Sequence, residues 1–445
     1  MKAQNTEKML RQLKQDFDTM KSEGAFTEAQ PLAIREQALS ALVHQGFPTV
    51  KDEFWKYTDL NRFFKAPLQQ VSTGPLSAEE QSALKQTRAS QLCIFNGVFD
   101  SQSSELPQGV TVQSLQHGLG ENDLSIEDQS AFGWLNLAYQ RDRVQLRVKK
   151  GSVVETPIHI DHLLEKLTPV AADNLGVCNS WLEIVIEEGA QVQLVESFFQ
   201  VPGFAVLTNN HVSVKVESNA RCEHLRLIFG AEGSQHFGQG FASQGRDSFY
   251  SVTTLSASSN LVRQSYIIEQ NGENAESVCN GLYLADGSEH SDHRVVIRHL
   301  KPHGISRQLY KGVLKGKART VFNGKIYIEK DAQKIDSNQL NNNLILSPGA
   351  EADSKPELEV YADDVKANHG SAIGRLDQDQ LFYLMSRCLS RSEAIQYLAR
   401  GFVQDVSLHL RGKELRAFAE MWIDRQFGEF QKSIEADAGI GVENG

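Results

Sequence analysis

The sequence predicts a mainly β protein whose core is a stacked solenoid held between two helical ends. Three observations carry that expectation. From about Val144 to Ile373 helical periodicity is hard to find. In its place, short runs alternate: Leu182, Ile184 and Ile186 with Glu183, Val185 and Glu187, then Val212, Val214 and Val216 with Ser213, Lys215 and Glu217. Period two over short runs marks half-buried strands. Between the runs a bend recurs, a turn-forming or charged residue followed by Ala, at Gly189-Ala190, Asn219-Ala220, Asn274-Ala275, Lys317-Ala318, Asp331-Ala332 and Gly349-Ala350. The last three bends fall 14 and 18 residues apart, and the earlier intervals are longer and irregular. In a β-helix each coil buries its inner face only by stacking on the next, and small residues fit its corners. A β-sandwich also gives short alternating strands; the weak repeat favours the β-helix.

The flanking elements follow from their own patterns. Met9–Met20 and Pro31–Gln45 read as amphipathic helices, the second with Leu32, Leu39, Leu42 and Val43 near helical spacing before Gly46 and Pro48 stop it. Within the mixed stretch 85–140, Leu92-Cys93-Ile94-Phe95 reads as a strand before an Asn96-Gly97 turn, and Ser130–Tyr139 as a short helix. After Asp377 helical texture returns. Leu381, Leu384, Met385 and Cys388 form one stripe, and Ser390-x-x-Glu393 is a capping box opening a helix with Ile395, Leu398 and Phe402. A third helix carries Leu415, Phe418, Met421 and Trp422, and the residues after about Ile434 are expected to fray. This helical set is expected to cap one end of the strand region, or to serve as a docking surface. The expected organisation is a mostly helical region over 1–140, a β-helix core over 141–375 and a helical region over 376–445.

Composition narrows the function. The 445 residues carry 45 Lys+Arg against 56 Asp+Glu, a formal net charge of −11, which argues against a nucleic-acid binder, since phosphate binding needs a basic stripe. No window approaches 18 consecutive apolar residues, so no membrane span is expected. The charged N-terminus lacks a signal-peptide apolar core, so the expected location is the cytoplasm. Five cysteines (Cys93, Cys178, Cys222, Cys279 and Cys388) stand at least 44 residues apart with no C-x-x-C, which fits neither a disulfide framework nor a self-contained metal cluster. They are expected to be mostly buried thiols.

Two histidine segments invite a metal reading. In His290-Ser291-Asp292-His293, with His299 and His303 nearby, alternation on a strand puts His290 and Asp292 on one face and His293 on the other. Three converging ligands are not delivered by that spacing, so a hydrogen-bonded or solvated histidine ladder is favoured over a metal site. His369 lies in Asp363-Asp364-Val365-Lys366-Ala367-Asn368-His369-Gly370, where strands hand over to helices. A neutral imidazole there can ligate iron, although a lone His near a turn is commonly structural. No P-loop, G-x-S-x-G elbow, H-E-x-x-H or Rossmann fingerprint is present. Gly312, Gly316 and Gly324 superficially resemble a phosphate loop, but no helix pattern follows them, so they are assigned to solenoid turns.

Several ordered segments resemble the SufB/SufD family of iron–sulfur cluster assembly proteins. They are Ser306-Arg-Gln-Leu-Tyr-Lys-Gly312, Arg319-Thr-Val-Phe-Asn-Gly324-Lys-Ile, Ala332-Gln-Lys-Ile-Asp336, Asn341-Asn-Asn-Leu-Ile-Leu-Ser347, Ala350-Glu-Ala-Asp-Ser-Lys-Pro-Glu-Leu-Glu-Val360, Asp364-Val-Lys to His369-Gly370, and Leu381-Phe-Tyr-Leu-Met-Ser-Arg387. Near the N-terminus, Glu53-Phe-Trp55-Lys-Tyr57-Thr-Asp-Leu60 resembles the family's entry motif. The match is dense over about 290–402 and patchy before. The SufB branch places a cluster-building Cys where this chain has Asn341, and usually a Glu where it has Gly370; Asp364-Val-Lys-x-x-His-Gly follows the SufD branch. Some members of that branch carry Cys where Ala367 stands, so here a ligand role rests on His369 alone.

The resemblance implies a right-handed parallel β-helix between helical ends. It implies a non-enzymatic scaffold that pairs with SufB through the β-helices and offers its C-terminal helices to the ATPase SufC, whose nucleotide-driven dimerisation would shift the SufB interface. His369 would be a transient iron or cluster ligand at that interface, completed by thiolates and carboxylates from SufB. Phe382 and Phe402 are candidate partner contacts, with core packing the alternative for each. Complexes of relatives are linked to a reduced flavin, but no flavin motif is found here. Two other functions stay open: a homodimer acting without SufB, and a β-helix hydrolase or lyase acting on an acidic polysaccharide, against which the expected cytoplasmic address counts.

Overall fold

A computed structural model of the chain describes residues 2–24, 26, 32–62, 67–71, 92–102, 104–115, 130–164, 174–200, 205–230, 233–257 and 260–439; Pro31 of the second expected helix and the tail 440–445 lie outside them. Among these residues the strands form two ten-stranded sheets. From β7 (Leu175–Ile186) to β20 (Lys366–Gly374), successive strands go alternately to one sheet and the other. Each pairs in parallel with the strand two places before it. One strand per sheet per coil is a solenoid, and it removes the sandwich, whose sheets are antiparallel.

Register partners from Leu182 onward lie 26 to 32 residues apart, the extremes being Gly240↔Tyr266 and Gly324↔Pro356. Each coil therefore has two bends, and the intervals of 14 and 18 residues are half-coils. Unequal coil lengths are why the repeat is faint. Gly189, Asn219 and Asn274 are left-handed, with φ of 70°, 60° and 58°, and the Ala after each is fully buried. The left-handed residue swings the chain toward the opposite sheet, a conformation favoured by Gly and tolerated by Asn. The corner has room for a methyl group.

Between the sheets runs a closed lumen. One side of it is apolar: Ile184, Val214, Ala242, Ile268, Ile297 and Ile326 stack in register. Large rings fill the middle because glycines stand beside them in register, one coil away in the same sheet. Tyr266 occupies the space a side chain at Gly240 would take, Tyr310 the space at Gly281 and Tyr283 the space at Gly312. Gly312 and Gly324 therefore lie inside β16 (Ile305–Leu314) and β17 (Arg319–Ile328), facing the lumen; only Gly316 of the three sits in a turn, at φ 63°. This corrects their assignment to turns. They admit side chains from neighbouring strands, a requirement that a one-dimensional pattern does not display.

Deeper in the lumen lies a fully buried charged cluster. Glu196 meets Arg226 Nε at 2.5 Å, His162 Nε2 at 2.9 Å and His224 Nε2 at 3.0 Å. Arg226 also donates to Gln264 Oε1 at 3.0 Å and to Asn210 Oδ1 at 2.6 Å. Burial alone would push the Glu196 carboxyl up, but Arg226 and the two imidazoles hold it well below its ordinary value. A cluster of this kind is stable only because nearly every lone pair and proton is matched.

The helices were expected to cap an end of the solenoid; instead they lie along its flanks. α1 (Lys2–Ser22), α2 (Leu32–Gln45) and α3 (Ala131–Tyr139) share one apolar cluster with the outer face of the odd-numbered sheet, through Leu13, Phe17, Leu42 and Phe132 against Trp181, Leu207 and Phe237. In α2, Leu39 and Leu42 are buried, while Leu32 and Val43 of the expected stripe are exposed. α4 (Gln378–Met385), α5 (Arg391–Leu408) and α6 (Lys413–Gly439) follow β20. Val403, Val406, Leu415, Trp422 and Ile423 cover Val195, Leu225, Leu227, Leu255, Leu282 and Val313 on the outer face of the even-numbered sheet. An amphipathic stripe says that a helix has an apolar face, not which surface that face meets. The Ser390–Glu393 capping box is present. The expected stripe on α4 holds only at Leu381: Met385 is exposed, and Cys388 lies past the helix end at φ 69°. The region after Ile434, expected to fray, continues as helix to Gly439.

Four cysteines are buried and Cys388 is exposed. Burial raises the thiols of Cys93, Cys178 and Cys279 to about 12, so they are inert.

Desolvation by burial also lowers His236, His293 and His299 of the lumen, and His211 beneath the N-terminal region, to about 3. The unfolded chain protonates these rings near 6.5 while the folded one does not. Their stabilisation is complete above that pH and is lost as pH falls, by up to ~1.4 kcal/mol per unit for each ring. Melting temperature followed from pH 7.5 to 5.0 is expected to fall from about 6.5, before most carboxylates titrate; Glu289, raised by burial to about 7, opposes the fall with the weight of one group against four rings, and a flat profile over that range would contradict this.

Candidate functional site

The solenoid ends in two edge strands, β19 (Glu351–Val360) and β20, each paired on one side only. Such edges offer unpaired backbone groups to another strand unless they are blunted. β19 is blunted: Glu351, Asp353, Lys355, Glu357 and Glu359 alternate along it, and Pro356 removes one N–H. β20 reads Lys-Ala-Asn-His-Gly-Ser-Ala-Ile-Gly, with one charge at its start and mostly small residues after it. Leu340, Val360, Tyr361 and Ile373 are exposed around these two strands. Since the helices cover the flanks, this end remains open.

His369 stands in the middle of β20, in register with Gln339 of β18 (Asp336–Ile345). Gln339 is in register with Gln308, and Gln308 with Cys279, so His369 continues a lumen-facing row. Unlike the rest of the row it is exposed. Among the described residues no three His, Cys, Asp or Glu side chains group so as to hold a metal ion. His369 by itself falls short of the three or four converging ligands that a metal site needs.

The other histidine segment has a structural task. His290 and Asp292 do share the outer face of β15 (His290–His299), as alternation requires. Thr58 donates its hydroxyl proton to Asp292, so His290 Nε2, 2.9 Å away, is the donor to Thr58. Asp292 also pairs with Arg263, whose Nη2 donates to the Phe54 carbonyl at 2.7 Å. Three arginines from neighbouring coils then cover the entry motif: Arg263 over Trp55 at 3.7 Å, Arg294 over Phe54 at 3.9 Å and Arg319 over Tyr57 at 5.7 Å. Lys355 of β19 closes this contact on Glu53 at 2.9 Å. His293 faces the lumen, 3.0 Å from Ser291 Oγ and stacked on Tyr283. The segment is thus a hydrogen-bonded clasp. It was missed as such because its partners lie more than 200 residues away.

The two candidate partner contacts differ. Phe382 on α4 is 75% exposed, beside exposed Tyr383 and Met385. Phe402 on α5 is half-buried against the sheet, its ring 4.5 Å from Lys311 Nζ, which also reaches the Phe402 carbonyl at 3.1 Å and Asp405 at 2.7 Å. Neither the contact of Lys311 with α5 nor the lumen cluster around Glu196 was anticipated. Both join different elements, 16 to 38 residues apart in the cluster and 91 between Lys311 and Phe402, so no local pattern displays them.

Family models agree with this architecture. "SUF system FeS cluster assembly, SufBD core domain" matches residues 170–402, and "SufBD protein N-terminal region" matches 5–160. The iron-sulfur cluster assembly protein SufD of Escherichia coli (strain K12) is 29% identical over 395 residues, covering 88% of this chain and 91% of the relative. An iron-sulfur cluster assembly SufBD family protein of Synechocystis is 30% identical over 399 residues, covering 84% and 86%. The chloroplastic protein ABCI7 of Arabidopsis thaliana is 27% identical over 398 residues, covering 86% and 83%. No helix among the described residues is long and apolar enough to cross a membrane.

The two phenylalanines give a stability test. Phe402→Ala is expected to destabilise the chain by about 2 kcal/mol through lost packing and cation–π contact, and Phe382→Ala to stay within about 0.5 kcal/mol of the parent. Urea midpoints of the two variants measure this. Equal losses would mean that α4 packs more tightly than its exposure indicates.

Proposed function

The chain belongs to the SufBD family of the SUF iron–sulfur cluster assembly system, and from that premise we propose that it acts as a non-enzymatic scaffold subunit, joining SufB at the open end of its solenoid and presenting His369 there to nascent iron or cluster. The observation that carries this is the placement of His369: an exposed imidazole at the centre of β20, the unblunted one of the two edge strands at this end of the solenoid. A parallel or antiparallel strand of SufB added to β20 would continue the sheet and extend the lumen. It would also bring further ligands beside His369. An incomplete metal site on an incomplete sheet is what one half of a shared site looks like.

The second contact in this proposal is with SufC, through the exposed apolar residues of α4 and α5, Phe382, Tyr383, Met385 and Tyr397. These helices are joined to β16 through Lys311, so a pull on them would reach the coils that lead to β20. The cluster in this scheme is cargo held transiently. A cytoplasmic location belongs to the same proposal. The polysaccharide reading gains no support, because helices cover much of the outer sheet faces along which a polymer would lie.

Mixing the chain with SufB and SufC under light scattering tests the assembly. One co-eluting species heavier than any pair is expected, while separate elution, or a homodimer that ignores SufB, would overturn the scaffold reading. Ala372→Lys, which places a charge in the edge of β20, is expected to weaken SufB pairing at least about tenfold with the melting temperature of the chain unchanged. His369→Ala is expected to assemble normally but to lose most of its retained iron. Full cluster assembly by that variant in cells lacking the parent copy would remove the ligand role.

A further inference from the structure

Cys279, Gln308, Gln339 and His369 occupy one register row across four successive strands of the even-numbered sheet. The two glutamines form a short amide ladder: Gln339 Nε2 donates to Gln308 Oε1 at 3.2 Å. A primary amide in a ladder donates on one side and accepts on the other, so such a row has a direction. Here the direction leaves Gln339 Oε1 as the acceptor for the next rung. That oxygen is buried and has no hydrogen-bond partner, within a side chain that is 0% exposed. The next rung is His369.

The amide is also held in place from across the lumen. Gly324 of β17 faces it, and a Cβ at that position would collide with Gln339 Nε2. Gln339 is thus pinned between Gln308 and the bare backbone of Gly324, with its carbonyl oxygen as the one group left unmatched on that amide. Buried acceptors are matched in folded proteins, and an unmatched one calls for an explanation.

We propose that Gln339 is the positioning residue for His369. Its Oε1 accepts one ring N–H of His369, which fixes the tautomer and turns the ring so that the other nitrogen, with its lone pair, faces out of the open end toward iron. This rests on the reading of His369 as a ligand. Ligating histidines characteristically donate their second ring N–H to a carboxylate or carbonyl oxygen. In this row the carbonyl is supplied by the preceding coil, so the register of the solenoid itself sets the aim of the imidazole.

The test uses the metal-free full chain labelled with 15N in histidine, with His369→Ala identifying the signal. In the parent protein the His369 ring is expected as one tautomer with a slowly exchanging N–H. Gln339→Leu removes the acceptor, and Gln339→Asn keeps an amide but withdraws it; both are expected to give a tautomer mixture with rapid exchange. Gln339→Glu retains an acceptor oxygen and is expected to restore the single tautomer. His369 signals unchanged in both Gln339→Leu and Gln339→Asn, with the fold intact by circular dichroism, would overturn the proposal. Gln339→Asn and Gly324→Ala, which displaces the amide, keep the question decidable if Gln339→Leu does not fold. Ferrous iron titrated into the complex with SufB is expected to bind about 10- to 100-fold more weakly in Gln339→Asn. If His369→Ala retains iron normally, the ligand reading fails, while the ring signals still report whether Gln339 holds the imidazole.

Discussion

Everything in this molecule depends on coil-to-coil register. A solenoid coil has no core of its own; its inward side chains are buried only by those of the coils above and below. The lumen shows how strict that requirement is. Tyr266, Tyr310 and Tyr283 fit because Gly240, Gly281 and Gly312 leave space beside them on the neighbouring coil. The Glu196–Arg226 cluster is matched only because residues from neighbouring coils and both sheets converge on Arg226. A slip of one residue would turn each of these groups to the outer face. Buried charges add little net stability, but they exclude such slips, because a misplaced register would leave an ion unpaired.

The same constraint sorts what the sequence could and could not disclose. Period-two runs such as Leu182–Ile186 announced strands, since each face has a distinct environment within the strand itself. The corner alanines were legible for a similar local reason. Asn96-Gly97 marked its turn, and both residues adopt positive φ, as the connection between Leu92–Phe95 and Val98–Phe99 demands. Gly312 and Gly324 were misassigned because their role is set by Tyr283 and Gln339 on other strands. The C-terminal helices were recognised as helices and misplaced as a cap for the same reason: Leu415 and Trp422 show that there is an apolar face, while the identity of its partner is written about 200 residues earlier, at Leu225 and Leu227.

The candidate site was legible as a motif and illegible as a place. His369 stood out in its segment, but nothing local says that β20 is an edge, that it faces the lumen row, or that β19 beside it is guarded by charge and proline. Those facts arise from counting coils. The His290–His293 cluster shows the opposite case, in which a dense group of chemically suggestive side chains turns out to hold the entry motif in place. Density of polar residues in the sequence did not tell which of them stand exposed and which are buried in a clasp.

The entry-motif clasp has a bearing on how the chain reaches this state. Glu53 and Lys355 are 302 residues apart, and Phe54 and Arg263 are separated by 209. The entry motif must wait for coils synthesised 209 to 302 residues after it. Contacts of such long range close late, and domains synthesised stepwise expose unfinished edges meanwhile. Each growing coil is a temporary sheet edge until the next is laid on it. The clasp spans the coils from Arg263 to Lys355 and closes only once they exist, so it acts as a completion lock, tying the entry motif to the last coil of the solenoid.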